Sequence, residues 1–255
     1  MPTDCEYTRR INKVIDHLRA NLDRPVRLEE LAGIACFSEY HFHRIFGSLT
    51  GETVHGLTQR LRLEKAARLL RYSKRRVTDI ALDCGFSSSA TFSRAFRAGF
   101  QTSPSAFRKD GKIKKRKICK ELFPSEQYIL PMSLEEKAAN FPVSFRDAPE
   151  RHIAYLRVVD AFQQARVLAA FEKMLTWSES RGLLEATTLF GMSADDPHGT
   201  PKPLYRYEVC LASTQPFPQD EAMLTTTMPA MRYAVTRVSG DLRRVATAWD
   251  YLYRG

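Results

Sequence analysis

Two stretches in the first half of this chain repeat one another, and the repeat limits what that half can fold into. LAGIACFSEYHFHRIF (31–46) lines up with IALDCGFSSSATFSRAF (80–96). Ala32, Phe37 and Ser38 match Ala81, Phe86 and Ser87 at an offset of 49. After one inserted residue, Phe42, Arg44 and Phe46 match Phe92, Arg94 and Phe96 at an offset of 50. Six matches in order indicate a duplicated structural unit.

Each copy reads as helix, tight turn, helix. In the first, Leu28, Leu31 and Ile34 share one apolar side, and Cys36-Phe37-Ser38 ends the helix. Ser38 is suited to cap the next, whose Phe42, Ile45, Phe46 and Leu49 recur at amphipathic spacing. In the second copy, Thr78 is expected to cap a helix carrying Ile80, Ala81 and Cys84. Gly85 suits a left-handed turn, and Ser87 or Ser88 caps a helix that buries Phe92, Ala95, Phe96 and Gly99. Two short helices joined by such a turn form a helix-turn-helix unit. One copy alone would fit any small helical domain; two argue for a duplicated DNA reader.

Between the copies, Leu57–Leu70 reads as a single helix. Leu57, Leu61, Leu63, Ala66, Ala67 and Leu70 form its apolar side, and Arg60, Arg62, Lys65 and Arg68 supply solvated charge. Upstream, Ile11, Val14, Ile15, Leu18 and Leu22 mark another amphipathic helix, ended near Arg24-Pro25. Pro104 opens a short closing helix that contains Phe107.

The net charge of +10 divides unevenly. Residues 1–120 hold 25 Lys/Arg and 12 Asp/Glu, hence +13, whereas residues 121–255 hold 14 and 17, hence −3. A basic front half favours an anionic partner such as nucleic acid. The five cysteines (Cys5, Cys36, Cys84, Cys119, Cys210) are scattered and form no C-x-x-C pair, which suggests reduced thiols and no metal site. Apolar runs such as Val167–Phe171 are too short to span a bilayer, and the polar start is no signal peptide.

Residues 5–110 resemble the DNA-binding domain of the AraC/XylS family, most specifically over IALDCGFSSSATFSRAFRAGFQTSPSAFR (80–108). The resemblance implies seven helices, with two recognition helices entering successive major grooves of double-stranded DNA. The family's base-contacting positions fall on Tyr40, His43 and Arg44, then on Ser89, Ala90, Thr91, Ser93 and Arg94. Arginine can pair with guanine, and alanine or threonine methyls can meet thymine. The first helix, richer in polar groups, is expected to carry more of the sequence preference. Two positions depart from the family: Gln101 stands where glycine is usual, and Arg27 where a capping Ser or Thr is usual. The run KDGKIKKRKICK (109–120) then begins a basic linker, assigned to 111–140, that adds salt-dependent attraction to phosphate.

The second half also repeats. Pro149–Val158 and Pro229–Val238 share Pro, Ala, Arg and Val at an offset of 80, and both read as strands. A helix follows each. The first, about 163–181, is expected to bury Val167, Leu168, Phe171, Met174 and Leu175; the second, about 242–253, carries Val245, Trp249 and Leu252. Two further strands, 187–192 and 205–212, follow the first helix alone. Residues 141–255 resemble the GyrI-like effector-binding domain, best over FGMSADDPHGTPKPLYRYEVCLA (190–212), in the arrangement of Rob-like regulators. Relatives have two facing strand–helix–strand–strand modules around an aromatic-lined pocket, so this sequence reads as shortened at its C-terminus. Tyr155, Trp177, Tyr205, Tyr207, Glu208 and Trp249 are the candidate ligand contacts, since aromatic faces hold cations.

The expectation is a multi-domain chain: an all-α N-terminal domain and an α+β, pseudo-repeated C-terminal domain with an antiparallel sheet. Its function is expected to be cytoplasmic, nucleoid-associated transcription regulation, as an activator that touches RNA polymerase. A cationic or amphipathic small molecule, or a protein partner, would modulate it. No cofactor, catalytic residue or membrane association is expected. The alternative is a GyrI-like hydrolase or protein-inhibitor module tethered to DNA, for which His152 and Glu208 are the one tempting catalytic pair.

Overall fold

The computed structural model describes residues 4–110, 129–193, 195, 200–218, 220 and 223–254. Residues 111–120 of the basic run lie outside these. In the N-terminal part the chain forms α1 (Asp4–Ala20), α2 (Leu28–Ala35), α3 (Glu39–Thr50), α4 (Val54–Tyr72), α5 (Val77–Asp83), α6 (Ser89–Phe100) and α7 (Pro104–Asp110). Apolar side chains sort into two clusters strung along α4. Leu57 and Leu61 of α4 join Ile15, Leu31, Phe42 and Phe46 in the first. Leu63, Ala66 and Leu70 join Ile80, Phe92, Phe96 and Phe107 in the second. Each fully buried large side chain stabilises by about 1.5–3 kcal/mol, so each unit has its own core while α4 belongs to both.

The duplication is visible in the helix ends. Ser38 and Ser88 both cap, accepting the N–H of His41 at 3.4 Å and of Thr91 at 3.1 Å. Ser88, not Ser87, is therefore the structural counterpart of Ser38, and the extra residue falls within the turn. Gly51 and Gln101 end α3 and α6 in the left-handed region, with φ of 71° and 56°. Thr78 does not cap α5: the helix begins at Val77, and Arg76 stands at the cap with no side-chain capping bond, its guanidinium donating to Asp79 instead. Arg27 does the same before α2. Acidic residues in the first turns, Glu29 and Glu30 in α2 and Asp79 in α5, favour the helix dipole in place of a capping hydroxyl.

The charges of α4 correct a second expectation. Arg68 is solvated as read, but Arg60 is buried. Arg62 donates to the carbonyls of Leu22 at 2.8 Å and Arg24 at 2.9 Å, and Lys65 to that of Asp83 at 2.9 Å. These side chains satisfy carbonyls at the ends of α1 and α5, which periodicity alone does not reveal.

The C-terminal part comprises α8 (Leu134–Asn140), β1 (Ser144–Ala148), β2 (Arg151–Val159), α9 (Gln164–Glu179), β3 (Thr188–Ser193), β4 (Arg206–Ser213), β5 (Leu224–Met228), β6 (Met231–Val235) and α10 (Leu242–Arg254). A four-stranded antiparallel sheet runs β3-β4-β2-β5, and β1 pairs with β6 as a separate ribbon. Strand alternation sends Ala154, Leu156, Tyr207, Val209 and Leu211 against Phe171, Met174 and Trp177 of α9. Ile153, Tyr155 and Cys210 point the other way, with Phe190, Met192 and Leu224.

Two helix faces differ from expectation. Leu168 and Leu175 of α9 are exposed, because the stripe that meets the sheet runs through Phe171, Met174, Trp177 and Ser178. On α10, Trp249 is exposed and Val245 and Leu252 are half-buried, while Thr247, Ala248 and Asp250 are buried. α8 explains this: Lys137 pairs with Asp250 at 3.0 Å, and the N–H of Leu130 reaches Thr247 Oγ1 at 2.9 Å. The neighbour of α10 is polar, so its inward face is polar too.

Candidate nucleic-acid interface

The solvent-facing side of α3 presents Tyr40, His43 and Arg44, at i, i+3 and i+4 on one helix surface. Tyr40 is 82% exposed, large for an aromatic in a domain that buries its phenylalanines. On α6 the equivalent positions at the offset of 50 are Ala90, Ser93 and Arg94. Ala90 and Arg94 are exposed, and Ser89, Thr91 and Ser93 are partly so. Phe42, Phe46, Phe92 and Phe96 fix the opposite faces of these helices in the two cores.

The side chains are not equally free. Thr91 Oγ1 is bound to the hydroxyl of Ser88 at 2.5 Å and lies 3.2 Å from the carbonyl of the same residue, so it closes the helix start. Arg44 lies 3.5 Å from His41 Nδ1, a long contact that leaves most of its donors to solvent. His41 packs edge-on against Phe37 and Tyr7, which links the start of α3 to α1.

The six ligand candidates of the C-terminal part do not converge. Tyr207 and Trp177 are in the core between sheet and α9, where Trp177 Nε1 donates to Asp220 at 3.0 Å. A Cβ at Gly191 would lie 1.8 Å from the Tyr207 hydroxyl oxygen, so this tyrosine reaches across the neighbouring strand at its glycine. Tyr205 is buried, with its hydroxyl 2.6 Å from that of Ser193. Trp249 is on α10. Tyr155 and Glu208 are buried on the far face of the sheet. His152 pairs with Ser213 and Arg157 with Glu208, so His152 and Glu208 are five registers apart on opposite faces. That placement separates the tempting catalytic pair.

Tyr155 and Glu208 are instead part of a charged junction with the N-terminal part. Arg157 meets Asp16 of α1 at 2.6 Å and Glu208 at 2.5 Å, and the Tyr155 hydroxyl donates to Asp16. Arg19 of α1 reaches Asp195 at 3.5 Å and Glu208 at 3.6 Å. Arg60 of α4 meets Glu52 at 2.6 Å, Glu64 at 3.0 Å and Asp195 at 3.2 Å, and Asp195 also pairs with Arg206. Thr200 donates to Glu64 at 2.8 Å.

Burial and pairing oppose one another at four of these groups and in different proportions. Asp195 is pulled down to about 2, its burial outweighed by hydrogen bonds from Arg206 and the charges of Arg206, Arg60 and Arg19. Glu64 is pushed up, by burial first and by nearby Asp195, against the pull of Arg60. Arg60 and Arg157 are held more firmly protonated by their carboxylates despite burial. Arg19 is lowered by burial and by the neighbouring Arg206 and Arg157. Elsewhere, burial lifts the Cys84 thiol to about 11 and the Cys210 thiol to about 12, so neither is a nucleophile at neutral pH. Among the described residues no cluster of His, Cys, Asp or Glu is placed to hold a metal ion, and no helix is long and apolar enough to cross a membrane.

Comparison with known proteins gives two family matches. The description "Helix-turn-helix domain" matches residues 31–110, and "GyrI-like small molecule binding domain" matches residues 141–254. The chain is 35% identical over 99 residues to transcriptional regulator Rob of Salmonella typhimurium, covering 39% of this chain and 34% of that protein. Identity to the right origin-binding protein of Escherichia coli K12 is likewise 35% over 99 residues, again 39% of this chain and 34% of that one. The match thus spans about a third of the length of these relatives. The probable transcription factor PqrA of Proteus vulgaris is 35% identical over 103 residues, covering 40% of this chain and 84% of that one. The DNA-binding domain of AdpA, crystallised in complex with a target DNA, is 32% identical with a TM-score of 0.38, covering 40% of this chain and 91% of that one. The chain belongs to the AraC-type helix-turn-helix family, with a match to a GyrI-like domain over residues 141–254.

Proposed function

We propose that this protein is a sequence-specific DNA-binding transcription regulator that places α3 and α6 in successive major grooves. The observation that carries the reading is the pair of equivalent faces, Tyr40, His43 and Arg44 on α3 and Ala90, Ser93 and Arg94 on α6, both turned to solvent. α4 supports it: its 19 residues make a spacer of roughly 28 Å, comparable with one turn of the duplex. Ser89 and Thr91 contribute at the start of α6. Phosphate attraction comes from the basic front half, with base reading added by Arg44 and Arg94.

The GyrI-like domain is the modulating part, responding to a small molecule or a protein partner. Of the six candidate contacts, Tyr207 and Trp249 keep area facing solvent. A ligand reaches Tyr155, Trp177, Tyr205 or Glu208 only by displacing the partners they now have. The regulator works in the cytoplasm, on the nucleoid, with RNA polymerase as the partner its output requires. Selection from random duplexes at about 0.15 M salt tests the DNA reading. Enrichment of two half-sites about 10 base pairs apart is expected. Recovery of unenriched sequence would leave only a non-specific polycation. A thermal-shift screen of cationic and amphipathic compounds tests the sensor.

A further inference from the structure

The junction just described is unusual in composition: two domains meet through buried charge. Arg157 is 1% exposed and Asp195 fully buried at the side chain, yet both are ionised and paired across the boundary. Ion pairs on a surface are worth little, whereas removing one member of a buried pair is costly because the other is left as an uncompensated charge.

The elements it grips are specific. Bonds across the junction come from α1 through Asp16 and Arg19, and from α4 through Arg60 and Glu64. α1 in turn holds the first reading unit. Arg10 lies over the Phe37 ring at 5.5 Å and donates to the carbonyl of Cys36 at 3.3 Å, inside the turn before α3. His17 meets Glu30 of α2 at 2.6 Å. One side of α1 thus holds β2, and other side chains of the same helix hold the turn that aims α3.

We infer that this buried guanidinium–carboxylate clasp docks the GyrI-like domain on the first helix-turn-helix unit, so that movement of β2 and β4 is transmitted through α1 to α3 in preference to α6. Glu208, by position a candidate for an external cation, here receives the chain's own Arg157 and Arg19. The naming of α3 and α6 as readers rests on the function proposed above; the docking and its transmission do not.

The test uses the full chain without DNA, so that it succeeds or fails independently of that reading. Thermal unfolding is measured for Asp16→Asn, Arg157→Gln and the double variant. A clasp makes the shifts non-additive by roughly 2 °C or more; additive shifts overturn it. Should Arg157→Gln fail to fold, the Thr200→Val and Glu64→Gln cycle crosses the same junction and decides the matter by the same criterion. Hydrogen exchange of Asp16→Asn against the parent then reads transmission. Exchange at least about threefold faster in α2 and α3, with α5 and α6 unchanged, is expected. Equal acceleration of both units, or none, overturns the preferential route.

Discussion

Cys36 and Gly85 occupy the same place in the two copies, one offset of 49 apart, and both adopt left-handed backbone, at φ of 53° and 74°. Only Gly85 is also tightly enclosed. A Cβ there would lie 2.1 Å from the Leu22 carbonyl oxygen and 2.7 Å from the Arg62 guanidinium, whereas Cys36 is exposed. The second turn is pressed against the end of α1, and Arg62 fastens the two together.

Substitutions at these sites should therefore diverge. Gly85→Ala forces backbone apart and is expected to cost at least about 2 kcal/mol. Cys36→Gly relieves left-handed strain but adds unfolded-state freedom, so its net effect should stay within about 1 kcal/mol. Denaturant midpoints of both variants give the comparison; equal losses would contradict the asymmetry.

At the proposed reading surface, Arg44→Ala is expected to relax preference at one position of the bound site, at about 1–3 kcal/mol. Binding to matched and singly mismatched duplexes is the measurement. A uniform loss on every sequence would make Arg44 a phosphate contact. Arg94→Ala, on a helix whose neighbours are Ala90 and Ser93, should give the smaller loss of specificity.

Glu64 and Asp195 give the junction a pH dependence of mixed sign. Asp195, held down to about 2, contributes stability above its unfolded value near 3.8 that is lost as pH falls towards 2. Glu64 is raised above 4.5, so its contribution is fully present below that value and is lost as pH rises through the folded one. Glu64→Gln removes the second dependence only. Urea unfolding from pH 4 to 8 should show the variant gaining on the parent as pH rises; parallel curves would refute the assignment.

The two tryptophans should report different surroundings. Trp177 is 6% exposed and Trp249 is 51% exposed. With Trp177→Phe, the remaining emission should be red-shifted and open to acrylamide; with Trp249→Phe it should be blue-shifted and protected. Trp177→Ala is expected to cost about 3–5 kcal/mol. Indistinguishable quenching in the two single-tryptophan proteins would rule out the placement of α9.

The helical half was legible because its information is periodic. Phe42, Phe46, Phe92 and Phe96 recur at helical spacing, and capping serines and Gly85 punctuate them. Arg60 was misread because an arginine on the polar side of a helix looks the same whether water or three carboxylates await it. Thr78 was misread because a threonine two residues from Arg76 offers a hydroxyl that the backbone does not use. β1 and β5 escaped notice: SFRDA and LTTTM are short and lack an alternating apolar side. The ligand candidates were chosen as aromatics, which does not distinguish Trp177 in a core from Trp249 on a surface. The charged junction joins residues as far apart in the chain as Arg19 and Glu208, and no local pattern encodes it.

The β1–β6 ribbon has a kinetic consequence. Ser144, Phe145, Arg146 and Asp147 are all exposed, as are Met231 to Ala234, so among the described residues no packed layer braces either side. Two strands by themselves are marginal in water. Deuterium should enter these amides long before those shared by β2 and β4, and a protease should make its first cut here. Among the described residues this ribbon is a soft spot, and heating damage is expected at its unbraced rungs.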